Sequence, residues 1–528
     1  MAMNPAKAEL PLSEILKVDT KPTLPLTKVI ATVGGNSRSV EELTDLLDAG
    51  MSIARFDFSF ADAAYHTQTL ENLKVAMQKT GKLCATMMDT KGPEVAIVRG
   101  SPEIEHPPII IEEGGLITIT TDTTKPCSSE FLPVDFPTLP TLVKIGTSVF
   151  VGQYLFTGAE TTSCYLTVQS ITVDTVVCRA NNSATLTGAI LNVQIVGVIG
   201  ENNCLPPTDI QNIVGWCAPN QIDFISLSFC MSANDVLQCR KVLCDAGLRT
   251  QVIAKVERAQ ALKNFEEILT EADGIIFSRG CLGLDIPSEK MFLIQKHVIQ
   301  KCNEAGKPVV LTRVVDTMTS APRPTRAEAT DVANAVLDGV DAIMLGAETL
   351  RGMYAKSATE TVLSICSEAE KVYNYESHYS KTIKNVGISN ESYELTEATE
   401  AEALASSAVR AARKVNAAML VVFTETGATA KLLAKYKPET PIVSLVIPQL
   451  KTDGLTWSMD GVMSARQSLL YRAVFPQLCE PKSANGNNNE KEDLAVKTGK
   501  DRGIVQSGDY VVVCQRMGDT SIVKIVEV

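Results

Sequence analysis

Short apolar runs that end in polar residues recur along the chain at the spacing of strand–helix units. The first, Thr27-Lys-Val-Ile-Ala-Thr-Val33, stops at Gly34-Gly35. A helical pattern begins after Ser39, and Glu42, three residues on, forms a capping box with it. Met51 to Ser59 predicts a second strand and residues 63–79 a second helix. A third strand, Lys82 to Met88, runs into Asp89-Thr90-Lys91-Gly92-Pro93. Strand, polar tip and helix in this order are the signature of parallel βα units.

After Pro93 the beat stops. Residues 94–190 are rich in Val, Ile and Thr with closely spaced turns, which predicts an all-β insertion with little helix. The beat returns at Phe224–Ser228, Gln251–Lys255, Gly274–Ser278, Pro308–Thr312 and Ala342–Gly346. Three strands before the insertion and five after it make eight, the count of a (β/α)8 TIM barrel. An open doubly wound sheet is the alternative, but it more often carries a Gly-rich turn after its first strand.

The expected organisation is an arm over 1–24, a barrel over 25–93 and 191–375, and a β-barrel lid over 94–190. A C-terminal α/β domain would fill 376–528. Its expected elements are a helix through Ala405–Lys414 and strands at Met419–Phe423 and Pro441–Val446. A mobile polar loop over Ser483–Asp493 and a closing strand pair, beginning at Asp509 and at Ser521, complete it.

The 528 residues suit two to four domains, and 45% hydrophobic with 21% charged residues is an ordinary globular composition. A net charge of −12 argues against non-specific nucleic-acid or anionic-membrane binding. No apolar stretch is long enough to span a bilayer, and the first residues lack a signal-peptide core, so a cytoplasmic location is expected. The fourteen cysteines include no C-x-x-C pair and read as reduced core residues. Four histidines without H-E-x-x-H make zinc chemistry or a Ser-His-Asp triad a poor fit. No G-x-x-x-x-G-K-[ST] is present, so a phosphate would need a cradle other than a P-loop.

A barrel of this kind keeps its active site at the C-terminal ends of its strands. Those tips carry Arg55, Asp57 and Ser59; Asp89 and Thr90; Lys255 and Glu257; Arg279, Gly280 and Cys281; and Thr312. Lys255 and Glu257 are two residues apart, so on a strand they face the same way. Any single tip reads as a cap or an ordinary ion pair. Five tips aimed at one mouth read better as a site in which Arg55 and Lys255 hold a phosphate, Glu257 a hard cation and an oxygen cluster a second ion.

At these tips the sequence resembles pyruvate kinase. The matching stretches are Ala54-Arg55-Phe-Asp57-Phe-Ser59, Asp89-Thr90-Lys91-Gly92-Pro93-Glu94, Ala254-Lys255-Val-Glu257, Ser278-Arg279-Gly280-Cys281-Leu282-Gly283 and Lys307-Pro308 through Thr312. Arg323-Pro324-Thr325-Arg326-Ala327-Glu328 adds a long and specific run. Thr312-Arg313-Val-Val-Asp-Thr-Met and Ala465-Arg466-Gln467-Ser468 look most like the plant cytosolic branch. The resemblance implies phosphoryl transfer from phosphoenolpyruvate to ADP, giving pyruvate and ATP in the last step of glycolysis, by a homotetramer. It implies that Arg55 grips the phosphate and that Lys255 neutralises charge on the moving group. It places Thr312 near the carbon that takes a proton, and Gly280 and Cys281 among substrate contacts. Glu257 would hold Mg²⁺ or Mn²⁺, and Asp57, Ser59, Asp89 and Thr90 match the family's K⁺ site. Glu94 matches a position whose acidic form accompanies K⁺ dependence.

Some positions depart from the family pattern. Cys281 stands where most members have aspartate as the second Mg²⁺ ligand, and sulfur is a poor donor to a hard cation. Phe60, Ala96 and Met231 replace a histidine, an arginine and a basic residue. These changes fall on the metal and nucleotide side, so a working phosphoenolpyruvate site with weakened Mg²⁺ or ADP binding is expected. A weakened homologue acting as a regulatory or structural subunit is the alternative, and a carbon–carbon lyase barrel would leave the C-terminal domain unexplained. At an exposed barrel mouth Cys281 would also be open to oxidation. In the C-terminal domain, Thr424 to Ala430 is a hydroxyl-rich turn read as a capped helix start, which makes activation by a sugar bisphosphate doubtful.

Overall fold

The computed structural model describes residues 11–16, 24–93, 95–99, 106–152, 163–187, 191–195, 204–389, 397–452, 457–479, 488–517 and 520–528. Eight parallel strands close into a barrel: β1 (Lys28–Thr32), β2 (Met51–Asp57), β3 (Ala85–Asp89), β4 (Phe224–Leu227), β5 (Gln251–Val256), β6 (Gly274–Phe277), β7 (Val309–Thr312) and β8 (Ala342–Leu345). Each strand pairs with its neighbours in chain order and β8 pairs back onto β1. Covered on both faces, these strands are almost wholly buried, which explains their near-continuous apolar sequences.

The two faces of each strand serve different cores. Val29, Ala54, Met88, Ala254, Phe277 and Leu311 face the surrounding helices, while Ile30, Ile53, Met87, Ile253, Ile276, Val310 and Met344 fill the interior. Two residues beyond this inner set stand Thr32, Arg55, Asp89, Lys255, Ser278 and Thr312. The alternation that builds the core therefore delivers polar groups to the mouth of the barrel with no change of register.

The helix Val40–Ala49 starts at the expected box, with Ser39 accepting from the Glu42 backbone and Glu42 returning a bond to the Ser39 N–H. Among its described residues the inserted segment forms a seven-stranded sheet and a two-stranded one around an apolar core, with one short helix, Leu139–Leu142. Its last strand, Asn192–Ile195, pairs antiparallel with residues 149–152, so the inserted sheet runs past the expected end at residue 190.

The C-terminal part is a five-stranded sheet of β9 (Met419–Thr424), β10 (Ile442–Val446), β11 (Val474–Leu478), β12 (Tyr510–Met517) and β13 (Thr520–Glu527), ordered β11-β10-β9-β12-β13. β12 and β13 are the antiparallel pair foreseen from sequence, while β11 was not foreseen. A helix at Tyr375–Ser389 carries the chain further than the expected helical stop. Residues 488–493 open a helix, Asn488–Asp501, and not a loop; 483–487 lie outside the described residues.

Buried charges fasten this sheet under the barrel. Asp223, just before β4, accepts from the Thr86 backbone at 2.8 Å and from Arg466 Nε at 2.9 Å. Lys437 meets Asp341 at 2.6 Å, and Arg472, with no exposed surface, donates to the Tyr375 hydroxyl at 3.0 Å. The interior of the barrel and the core of the C-terminal sheet form one continuous apolar cluster.

Candidate active site

The strand tips gather their charges into one buried network. Arg55 donates through Nη1 to Thr32 Oγ1 at 2.8 Å and through Nη2 to Asp57 Oδ2 at 3.0 Å. The same Nη2 pairs with Asp89 Oδ2, which also accepts from Lys255 Nζ at 3.3 Å. Lys255 lies 3.4 Å from Glu257 Oε1 and donates to Ser228 Oγ at 3.1 Å. Glu257, with no exposed surface, accepts the Phe229 backbone N–H through Oε2 at 2.9 Å.

Burial disfavours charge on Lys255, but Asp89 and Glu257 outweigh it and hold the ammonium well above its ordinary pKa. Burial likewise opposes the Asp57 carboxylate, yet Arg55 and the Ser59 hydrogen bonds keep its pKa below the usual range. Both groups are charged at neutral pH.

Thr90 joins through its backbone: its carbonyl accepts from Ser228 Oγ at 2.6 Å, and its hydroxyl accepts from Ser228 N at 2.9 Å. The turn after β3 is clamped by buried Asp209, which accepts from the Lys91 and Gly92 N–H groups at 3.1 and 2.8 Å. Gly92 has φ +68°, and a Cβ there would come within 3.1 Å of both Phe229 and Ser228, so the tight turn needs glycine. Glu94 lies outside the described residues.

A cavity of about 50 Å³ opens among Arg55, Lys255, Ser278, Gly280, Thr312 and Glu348. Arg55, Lys255, Gly280 and Thr312 thus come together as the sequence suggested. Arg279 turns aside, bonding the Thr312 and Arg313 carbonyls and pairing with Asp331 at 2.6 Å, so it fixes the loop after β7. Cys281 does not line the cavity. Its side chain is buried, 1% exposed, and its sulfur accepts from Gln194 Nε2 at 3.5 Å. The open barrel mouth that its oxidation would require is absent at this position.

Comparison with known proteins decides the family. The family model for the pyruvate kinase barrel domain matches residues 24–359, and that for the pyruvate kinase alpha/beta domain matches 402–526. The chain belongs to the pyruvate kinase family. It is 50% identical over 508 residues to cytosolic pyruvate kinase 2 of Oryza sativa subsp. indica, covering 95% of this chain and 94% of that one. The cytosolic isozyme of Glycine max is 42% identical over 509 residues, covering 95% and 96%. A solved pyruvate kinase of Cryptosporidium parvum in complex with ADP superposes with a TM-score of 0.86 at 31% identity, covering 98% of each chain.

Pyruvate kinases are metal-dependent, and the donors present suit that requirement in part. Glu257 offers hard carboxylate oxygen in a buried setting, whereas the Cys281 sulfur does not suit Mg²⁺. Asp89 Oδ1 is buried with no hydrogen-bond partner among the described residues, an atom that a K⁺ ion beside Asp57, Ser59 and Thr90 would satisfy.

Glu348 was not singled out from sequence. It sits in the helix Ala347–Leu350 after β8, 1% exposed, with Oε2 accepting the Gly346 N–H at 2.8 Å and Oε1 lacking a hydrogen-bond partner among the described residues. Burial, reinforced by the Asp316 carboxylate, pushes its pKa up to about 7, against the opposing pull of that N–H and Arg313. An acid three residues past a strand end was the available signal. Between the ordinary value of 4.5 and about 7 the native state holds a proton that the unfolded chain releases, so stability falls as pH rises through this window. Glu348→Gln removes that dependence. Thermal unfolding should show the variant gaining on wild type from pH 5 to pH 8; a constant difference would contradict the assignment.

Proposed function

We propose that the chain transfers the phosphoryl group of phosphoenolpyruvate to ADP, giving pyruvate and ATP, at the mouth of the barrel. The observation that carries this reading is the convergence of Arg55, Lys255 and Thr312 on one cavity, in a chain matched by the family along most of its length. The same residues argue against a disabled homologue, and the matched C-terminal domain argues against a lyase barrel.

The charge balance explains a need for cations. Arg55 and Lys255 carry two positive charges against three carboxylates, Asp57, Asp89 and Glu257, so the network is one charge negative. One divalent and one monovalent cation would bring it to +2, a field suited to an anionic substrate. Bound beside Glu257, the divalent ion supplies Lewis-acid polarisation of substrate oxygens.

The chain's own groups do the rest. Arg55, fixed by Thr32, Asp57 and Asp89, presents a guanidinium to the phosphate. Lys255, charged and held at its base by the rigid strand, stabilises negative charge as the phosphoryl group departs and an enolate oxygen forms. Thr312 and Glu348 line the same cavity as Lys255. With a pKa near 7, Glu348 holds a transferable proton at neutral pH, and Thr312 orients the solvent that carries it to the enolate carbon. The inserted domain, in contact with the barrel through Gln194 and Ile195, serves as the lid that excludes bulk water.

The two plant relatives named above are cytosolic isozymes, and no helix among the described residues is long and apolar enough to cross a membrane. A homotetramer suits the helix Ser288–Ala305, which leaves Phe292 and Leu293 about half exposed for a second copy to cover. Sedimentation velocity should give a mass four times that of the chain; a monomer at micromolar concentration would contradict it.

The activity is tested by coupled measurement of pyruvate formation with Mg²⁺ and K⁺ varied. Wild type should turn over, and Lys255→Met should lower kcat by about 10²–10³-fold. Unchanged turnover in the variant, or none in wild type, would contradict the reading.

A further inference from the structure

Besides its acidic partners, Lys255 Nζ donates to Ser228 Oγ at 3.1 Å. Ser228 follows β4 and is buried. A serine hydroxyl has one hydrogen, and here it goes to the Thr90 carbonyl at 2.6 Å. Ser228 therefore turns a lone pair towards the ammonium. Asp89 and Glu257 attract the same ammonium from 3.3 and 3.4 Å, so the bond to Ser228 is the shortest of the three. Attraction between charges depends mainly on distance, whereas a hydrogen bond to a hydroxyl has a preferred direction. The carboxylates keep Lys255 charged, and Ser228 aims it.

The aim of Ser228 is set in turn by Asp209. The Thr90 carbonyl and the Lys91 N–H belong to one planar peptide group, so whatever turns the N–H turns the carbonyl with it. That N–H donates to Asp209 Oδ1 at 3.1 Å, and the next one, of Gly92, donates to Oδ2 at 2.8 Å. Two successive N–H groups meet one carboxylate at a turn whose second residue, Gly92, is left-handed at φ +68°. Asp209 has no exposed surface and lies in the helix Pro207–Asn212, which follows the inserted sheet in the chain. Lys91 and Gly92 lead out to that sheet, so the clamp joins the segment that leaves the barrel to the one that re-enters it.

We propose that Asp209 is a positioning residue for Lys255, acting through the Thr90–Lys91 peptide and the Ser228 hydroxyl. It rests on the phosphoenolpyruvate reading above and adds a residue outside the cavity, since Asp209 does not line it. Asparagine at 209 would keep the shape but offer one acceptor oxygen, and its NH₂ would face one of the two N–H donors. The peptide would then turn, and the direction given to Lys255 would be lost while its charge remained. Arg55 is held independently, by Thr32, Asp57 and Asp89, so the grip on the phosphate would persist.

The test is the rate of pyruvate formation from phosphoenolpyruvate and ADP by the full chain, in a cycle of single and double variants. Asp209→Asn should lower kcat about tenfold, the scale of a small misplacement of a reacting group. KM for phosphoenolpyruvate should stay within about twofold of wild type, as expected when the lost interaction belongs to the transition state. Ser228→Ala, which breaks the same line at its other end, should lower kcat as well, and adding Asp209→Asn to it should cost nothing further. A carboxylate that merely held the fold together would lower the active fraction in both backgrounds alike. Multiplying losses in the double variant, or unchanged kcat in either single variant, would overturn the proposal and leave the activity untouched. Wild type that forms no pyruvate would overturn the functional reading and this proposal together.

Discussion

Everything at the mouth of this barrel depends on Asp89. Its Oδ2 is shared by Arg55 and Lys255, so one carboxylate holds both cations of the site at a fixed spacing. Burying five charges carries a large desolvation penalty, and an ionic cluster of this kind adds little to stability by itself. It persists because the strands beneath are fixed by a continuous apolar core and by the charged floor around Asp223, Asp341 and Arg472. The stability of the floor maintains an electrostatically costly ceiling, and the ceiling is the site.

The same network accounts for the division of labour among the three parts of the chain. The barrel fixes the cations, and its negative excess leaves room for metal ions. The inserted sheet brings Gln194 to Cys281 and the Ile195 carbonyl to Arg258, so it is in direct contact with the segments that follow β5 and β6. The C-terminal part, through Arg466, Lys437 and Arg472, braces the barrel strands from below.

Much of this was legible in the sequence because period-two alternation is a local property. The residues two steps past the inner apolar set could be read off the strands, and with them Arg55, Asp89, Lys255 and Thr312. Legibility ended where tertiary contact decides. Arg279 looked like a mouth residue, but Asp331 and two carbonyls draw it aside. Cys281 looked exposed because its burial depends on a strand almost ninety positions earlier in the chain. Glu348 escaped notice because two small residues separate it from β8, and its raised pKa arises from burial that no local pattern reveals.

On the proposed function, a network one charge negative becomes an anion site only with its cations in place. Calorimetric titration of phosphoenolpyruvate into the chain, at constant ionic strength with and without Mg²⁺ and K⁺, tests it directly. Affinity should be at least on the order of tenfold higher with both cations, a difference of about 1.4 kcal/mol or more. Equal affinity in their absence would contradict it.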